Sequence, residues 1–399
     1  MPADRQHIVY LHGPGDAGGT LKKWAEGAAD GRIIADAYSI QFFEVCHELG
    51  CSSTVFVDRP HAEPVERDPF KLYYEPFIPK SRGIRYIRDW FAAADALASR
   101  IADLGTDAVF MSIHYGFPMI AALAKRSIPV VLTLHNTLWP MSTTPRLADR
   151  VVRTLTRRTA STTVRAALSV VPEATRQLRA TLPGDYPIIE HVPQYSDMQN
   201  DLRAAPFGQP FHVIFAGRLE RMKGVRTMIE TAAMLRDARA SDPSKPEVRW
   251  TIAGDGAELD WLRTAVAERN LTDVVSLPGW IGGEELTDIY KTTHVTVTPT
   301  ERSFNEGIAK SSLESMLFGM PAIVTEVVAS AEVMQGACIV VPVAEGAAGL
   351  ARAITDLATD QPRYDAMCAA ALERRADLFK PERSFANGLR TALPLALGR

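Results

Sequence analysis

The strongest constraint on this chain is a rhythm. Short apolar runs of strand length alternate with helical patterns, break once, and then begin again. Such alternation points to parallel sheets covered by helices. In the first half, strands are predicted at His7–Leu11, Ser53–Val57, Ala108–Ile113, Val130–Leu134, Leu168–Val171 and Ile188–Val192. Helices are predicted between them at Tyr38–Leu49, Trp90–Leu104 and Pro118–Lys125. In the second half, strands are predicted at His212–Ala216, Arg249–Ala253, Val274–Leu277, Val295–Thr298, Ala322–Val324 and Ile339–Val341. The matching helices are Val225–Arg236, Glu258–Arg269, Glu284–Lys291, Ile308–Phe318 and Ala347–Thr359. The break is polar and punctuated by Gly and Pro, as linkers are. A chain of 399 residues exceeds one ordinary core.

The expected fold class is therefore α/β: two doubly wound Rossmann-like domains facing across a cleft. They span 1–195 and 211–379, with 196–210 as linker and a tail near 380–399 that packs back on the first domain. Ligands of such sheets sit beyond the carboxyl ends of the strands, which places the expected site in the cleft.

Composition narrows the function. Lys plus Arg total 44 and Asp plus Glu 47, a net charge of −3, which gives no general case for nucleic-acid binding. Cys46, Cys51, Cys338 and Cys368 form no Cys-x-x-Cys pair and read as reduced thiols. No basic-then-apolar leader pattern opens the sequence and no apolar run reaches spanning length. A cytoplasmic protein is the expectation.

The most informative stretch is Asn305-Glu306-Gly307-Ile308-Ala309-Lys310-Ser311-Ser312-Leu313-Glu314, after a strand and before Gly319-Met320-Pro321. It reads as loop, helix, glycine cap and new strand. Gly307 allows backbone to approach a ligand at the helix start. The free N–H groups of that first turn suit a pyrophosphate. Two helical residues eight apart would stand roughly 12 Å apart along the axis. That is too far for Glu306 and Glu314 to share a proton, but it suits two acceptors gripping the ends of an extended ligand. Glu314 would take ribose hydroxyls and Glu306 those of a sugar beyond the phosphates. In Gly217-Arg218-Leu219-Glu220-Arg221-Met222-Lys223, Arg218 and Lys223 flank a turn at a strand end, where two cations can neutralise a diphosphate leaving group.

These segments resemble the retaining glycosyltransferases of family 4, with the GT-B architecture. There, a Gly-Arg…Lys-Gly element and a Glu-x7-Glu element bind the nucleotide sugar. Gly254-Asp255-Gly256 resembles the family's Gly-Asp-Gly turn, and the loop with Trp280 and Ile281 resembles the one beside the nucleobase. Ile308 and Ala309 stand where the family commonly has Phe-Gly, and the loop from Pro299 to Asn305 is longer than usual. The resemblance implies a nucleotide-sugar donor and a sugar, glycoside or lipid-linked acceptor. It also implies transfer with retention. No Asp-x-Asp motif occurs, so no metal and no cofactor are expected. In the first half, the glycine-rich run His12–Thr20 reads as a loop whose Gly18 and Gly19 approach the donor phosphates, or as a plain turn. His114 resembles a family imidazole that reaches the transferred sugar, and His135 is a second candidate.

From Arg146 to Arg179, eight arginines face only Asp149 and Glu173. This charge fits a solvated face, peripheral contact with anionic lipid, or attraction of a soluble anionic acceptor. A sugar phosphorylase, an epimerase and a non-catalytic nucleotide-sugar sensor are the rival readings. No Gly-x-Gly-x-x-Gly with a trailing ribose-binding acid follows a strand to support a dinucleotide oxidoreductase.

Overall fold

Along β1 (His7–His12), Ile8 and Tyr10 enter one buried cluster while Val9 and Leu11 enter another. This is the two-residue period of a strand with both faces covered. The computed structural model describes residues 5–398 apart from 14, 28–33, 60–62, 142, 146 and 196–201.

The first sheet adds β2 (Ser52–Val57), β3 (Val65–Arg67), β4 (Phe70–Tyr74), β5 (Ala108–Ser112), β6 (Val130–Leu134), β7 (Val164–Ser169) and β8 (Ile188–Glu190). Its order is β3-β4-β2-β1-β5-β6-β7-β8, parallel except for β3 on β4. Its helices are α1 (Ala17–Ala25), α2 (Tyr38–Glu48), α3 (Gly83–Asp103), α4 (Gly116–Ala124), α5 (Leu147–Ser161) and α6 (Pro172–Thr181).

The second sheet contains β9 (Phe211–Ala216), β10 (Val248–Ala253), β11 (Val275–Gly279), β12 (Val295–Thr298), β13 (Ala322–Thr325) and β14 (Cys338–Val341), in the order β11-β10-β9-β12-β13-β14, all parallel. Helices α7 (Val225–Ser241), α8 (Leu259–Glu268), α9 (Gly283–Lys291), α10 (Lys310–Phe318), α11 (Gly346–Thr359) and α12 (Gln361–Arg375) belong to this half. The last helix, α13 (Phe385–Ala396), returns to the first: Phe385, Leu389 and Leu393 join the core formed by α2 and β7. Residues 196–201 of the expected linker lie outside the described residues.

Three local expectations change. Residues 17–20, read as part of a loop, open α1, because Asp16 caps the helix by accepting from Gly19 N–H at 3.0 Å and Ala17, Thr20 and Leu21 are buried. Packing outweighs the poor helix propensity of two glycines. Residues 65–89, where no element was expected, supply β3, β4 and the first turns of α3. Helix α10 begins at Lys310 rather than Ile308, since Ala309 keeps extended backbone (φ −69°, ψ 104°) as its cap.

The halves touch directly. Arg176 on α6 pairs with Glu332 across the cleft, and Thr137 Oγ1 donates to the Glu306 carbonyl at 3.4 Å. Among the described residues, no helix is long and apolar enough to cross a membrane.

Candidate active site

On the C-terminal side, β9 and β10 end close together. Gly254 has φ +140°, and its N–H donates to the Gly279 carbonyl at 2.7 Å. A Cβ there would overlap the Gly217 carbonyl, so only glycine permits this approach. A cavity of about 390 Å³ opens at these strand ends, lined by Gly217, Arg218, Gly254, Trp280, Ile281 and Glu314 among others. Trp280 is 62% exposed and its ring faces the cleft. Glu314 is buried in α10 and accepts from the Tyr290 hydroxyl at 2.8 Å. Burial raises its carboxyl pKa, opposed by that hydrogen bond and by the charge of Lys310.

A second cavity of about 200 Å³ lies at the amino end of α10, against Gly217, Lys223, Glu306, Ile308, Ala309 and Lys310. Lys223 Nζ donates to Glu306 Oε2 at 2.6 Å, and Thr300 Oγ1 donates to the same oxygen at 2.9 Å. The amino end of α10 and two lysines make this corner attractive to an anion.

On the N-terminal side, the site is built from four strand ends. His12 ends β1, and its Nδ1 lies 2.8 Å from the Gly13 carbonyl. Burial lowers its pKa, with the Gly13 hydrogen bond opposing. Asp58 follows β2, accepting from His114 Nε2 at 2.8 Å and from Phe77 N–H at 2.7 Å. Burial alone would raise the Asp58 pKa. The hydrogen bonds from His114, Phe77 and Ile78 outweigh it and hold the carboxyl below its usual range. His114 sits in a short 3-10 turn after β5, and His135 follows β6. The His135 ring stacks on Tyr38, centroids 4.5 Å apart and 18° between planes. Its Nδ1 is buried without a hydrogen-bond partner among the described residues. Burial first, then His191, His12 and Lys310, push its pKa well below 6.5.

Two cavities occupy this side. One of about 550 Å³ is lined by His12, Gly13, Asp16, Tyr38 and His135 and reaches across to Trp280 and Lys310. The other, about 270 Å³, runs toward α5. Ser112, His114, His135 and Asn136 line both, and Lys310 lines three of the four cavities described. The cleft thus has a nucleotide-sized end, a lysine-lined corner and a polar end joined by common walls.

Residues 198–374 match the family model described as glycosyl transferases group 1, and residues 37–193 match that of glycosyltransferase family 4. The chain belongs to the GT-B glycosyltransferases of the family 4 type. It is 34% identical over 119 residues (29% of this chain, 27% of the relative) to a D-inositol 3-phosphate glycosyltransferase of Pseudarthrobacter chlorophenolicus. It is 27% identical over 280 residues (64% and 62%) to a 2-deoxystreptamine N-acetyl-D-glucosaminyltransferase of Streptomyces fradiae. These matched stretches span less than two thirds of each relative's own length. In structure, the chain resembles a sucrose-phosphate synthase from Thermosynechococcus elongatus, with TM-score 0.68 and 17% identity over 99% of this chain and 100% of the other. It also resembles Anabaena HepE, solved with UDP and glucose, with TM-score 0.60 and 14% identity over 98% and 99%. These two likenesses establish the fold.

In this family 4 chain, Gly217, Arg218, Gly254, Trp280, Ile281 and Glu314 line one cavity, and Lys223, Glu306, Ile308 and Ala309 line the adjoining one. Several placements differ from expectation. Glu306 lies in extended loop ahead of α10, so the axial spacing expected from a shared helix does not apply. The two cations do not stand unopposed: Lys223 holds Glu306, and Arg218 donates to Glu220 Oε1 at 2.6 Å. The Arg218 side chain is 63% exposed, and so exposed a pair costs little to break when a ligand enters.

Gly307 packs against the other domain: a Cβ would overlap the His135 carbonyl oxygen and lie 2.7 Å from the Asn136 Cα. Ile308 likewise packs against the first domain's core. Gly18 and Gly19 line none of the cavities described. Gly18 sits under Tyr74, whose hydroxyl a Cβ would overlap, and Gly19 N–H is spent on the Asp16 cap. Gly13 and Gly15 line the cleft instead.

The basic stretch is not one surface. Arg146 lies outside the described residues. Arg176 bridges Glu173 and Glu332, and Arg179 donates to the Gly184 and Tyr186 carbonyls.

Sequence reasoning passed over Asp58, Lys310 and Arg153. Asp58 directly follows a predicted strand, so the rule that sites gather at strand carboxyl ends was a usable signal. Lys310 stood inside the most informative motif. Arg153 was one of eight arginines, and nothing local separated it from the others.

Proposed function

We propose that the chain transfers a sugar from a nucleoside-diphosphate sugar to an acceptor hydroxyl, with retention of configuration and without a metal ion. The observation that carries this reading is the shared wall at Lys310 and His114. It joins a nucleotide-sized cavity and a lysine-lined corner on one sheet to polar cavities on the other. Glu314 holds ribose hydroxyls, and Trp280 and Ile281 flank the base. The diphosphate lies at the amino end of α10 with Lys223, Arg218 and Lys310 around it. Their charges oppose the negative charge that builds on the leaving phosphate as the glycosidic bond breaks. The acceptor hydroxyl attacks from the same face, and its proton passes to the departing phosphate oxygen. Closure of the halves excludes water.

The test is a screen of UDP-, GDP- and ADP-sugars by thermal shift, since only a bound ligand raises stability, followed by donor consumption with and without acceptors. One nucleotide class should raise Tm, and Glu314→Ala should weaken its binding by roughly 1.5–3 kcal/mol. Donor left intact across a broad acceptor panel favours a sensor, and sugar phosphate formed with inorganic phosphate favours a phosphorylase.

A specific surface supports peripheral membrane contact as a second element of this reading. Helix α5 shows Leu147 (75% exposed), Val151 and Leu155 (70% exposed) at four-residue intervals, with Arg150, Arg157 and Arg158 also exposed. This combination suits an anionic lipid interface. Co-sedimentation with phosphatidylglycerol vesicles, lost in Leu147→Ser/Leu155→Ser, tests it. Equal sedimentation with neutral vesicles refutes it.

A further inference from the structure

The loop from Pro299 to Asn305 is tied down along its length. Thr325 Oγ1 donates to the Thr300 carbonyl at 2.6 Å, Glu301 N–H donates to the Met222 carbonyl at 2.9 Å, and Arg302 pairs with Glu326. Phe304 N–H donates to the Glu301 carbonyl at 3.2 Å and closes the turn. The loop is thereby fixed to the end of β13 and to the turn that carries Lys223. This sets one aromatic ring against two cations. The Phe304 ring centroid lies 4.4 Å from Lys223 Nζ and 5.7 Å from the central carbon of the Arg218 guanidinium. Both lie within about 6 Å, where the negative face of a ring attracts a cation. Lys223 lines the corner at the amino end of α10 and Arg218 the nucleotide-sized cavity, whereas Phe304 lines none of the cavities described. The ring therefore backs these side chains without filling the space open to a ligand. Glu306 takes one side of the Lys223 ammonium and the ring another, and the side chain is only 15% exposed. Asn305, the next residue, lines the cavity on the other side of the cleft.

We propose that Phe304 is a positioning residue for the donor's diphosphate and sets how the enzyme divides between transfer and hydrolysis. The ring gives the two cations a negative face but no oxygen that competes with phosphate. Cations already held need less ordering when the donor arrives, which favours binding. A ring in place of water against Lys223 also keeps the corner dry. In hydrolysis, a water oxygen bonds to the anomeric carbon as the bond to the diphosphate breaks, and the water's proton passes to the departing phosphate oxygen. The bond exchange is the same as in transfer, so exclusion of water is what separates the two outcomes. The inference rests on the transfer reading above and adds a residue to it.

The experiment uses the full chain, with Phe304→Ala, Phe304→Leu and Phe304→Tyr beside wild type. Calorimetry compares uridine with UDP, guanosine with GDP and adenosine with ADP. Turnover assays separate sugar transferred from sugar released to water. In Phe304→Ala, affinity for the diphosphate should fall about 5-fold or more, the scale of ordering two long side chains on binding, while nucleoside affinity stays at its wild-type value. Its ratio of hydrolysis to transfer should rise about 10-fold. Phe304→Leu keeps apolar bulk without the ring, so it should lose diphosphate affinity with a smaller rise in hydrolysis. Phe304→Tyr should keep most of the diphosphate affinity and a low ratio. Wild-type diphosphate affinity with an unchanged ratio in Phe304→Ala overturns the proposal and leaves transfer intact. So does an equal loss of nucleoside and diphosphate affinity, which marks a merely structural ring. Should Phe304→Ala fail to fold, equal diphosphate affinity in Phe304→Leu and Phe304→Tyr overturns it. A wild type that binds nucleoside and diphosphate equally well, or that cleaves no donor with any acceptor, overturns the transfer reading and this inference with it.

Discussion

Replacing Gly307 with alanine adds one methyl group at the contact between the two halves. The backbone of Gly307 lies outside the left-handed region, so alanine fits it without conformational strain and the whole effect is steric. The new Cβ would lie 2.7 Å from both the Cα and Oδ1 of Asn136 and would overlap the His135 carbonyl. Carbon atoms pack at about 3.5–4.0 Å, so a gap of about 1 Å must open. The atoms in the way are mostly backbone at the end of β6 and cannot swing aside. The nucleotide-sized cavity is lined by residues 216–218, 253–255, 280–281 and part of α10, all on the far side of this contact. Affinity for the nucleoside part of the donor should therefore stay within about twofold. Transfer needs the acceptor side to meet the donor, and a misplacement of about 1 Å costs on the order of 100-fold in rate. The expected result is kcat lowered about 100-fold with nearly unchanged nucleoside binding by calorimetry, and a more open particle by small-angle scattering. A Gly307→Ala enzyme with wild-type kcat would show that the closed contact plays no part in turnover.

Three further outcomes are expected. Asp58→Asn removes the charged acceptor that orients His114 and should lower kcat about 10- to 100-fold, leaving nucleotide affinity alone; unchanged turnover would make the pair merely structural. Lys223→Ala should lower turnover about 100-fold or more, and it also strands Glu306 in a buried site. The double variant Lys223→Met/Glu306→Gln should recover Tm without recovering rate, and recovery of both would remove Lys223 from the chemistry. His191 is buried with both ring nitrogens unpartnered among the described residues, and burial pushes its pKa down to about 3 from 6.5. Its contribution to stability is therefore complete above pH 6.5. It is lost as pH falls toward 3, at a slope of roughly 1.4 kcal/mol per pH unit, because only the unfolded chain takes up the proton there. His191→Leu should flatten the fall of Tm between pH 7 and 5, and parallel curves would place the acid sensitivity elsewhere.

The alternation of apolar runs was enough to place both sheets. Strands buried on two faces must be continuously apolar, and helices covering them must carry a 3.6-residue period. Both are local properties that survive in one dimension. The line of residues from Glu306 to Glu314 was legible for the same reason: loop, helix start and glycine cap are consecutive. The edge hairpin of β3 and β4 was not, because short edge strands with one wet face carry little periodic signal.

What the chain's own order determined was the α/β class, the two halves, the strand end and turn that carry Gly217, Arg218 and Lys223, and the helix that carries Glu314. Only the tertiary structure decided which charges meet. Lys223 and Glu306 are 83 residues apart and share a hydrogen bond. His114 and Asp58 are 56 apart and do the same. Gly307 is also a contact between the halves. Pairing across such distances depends on how sheets are ordered and how domains close, and neither leaves a mark on neighbouring residues.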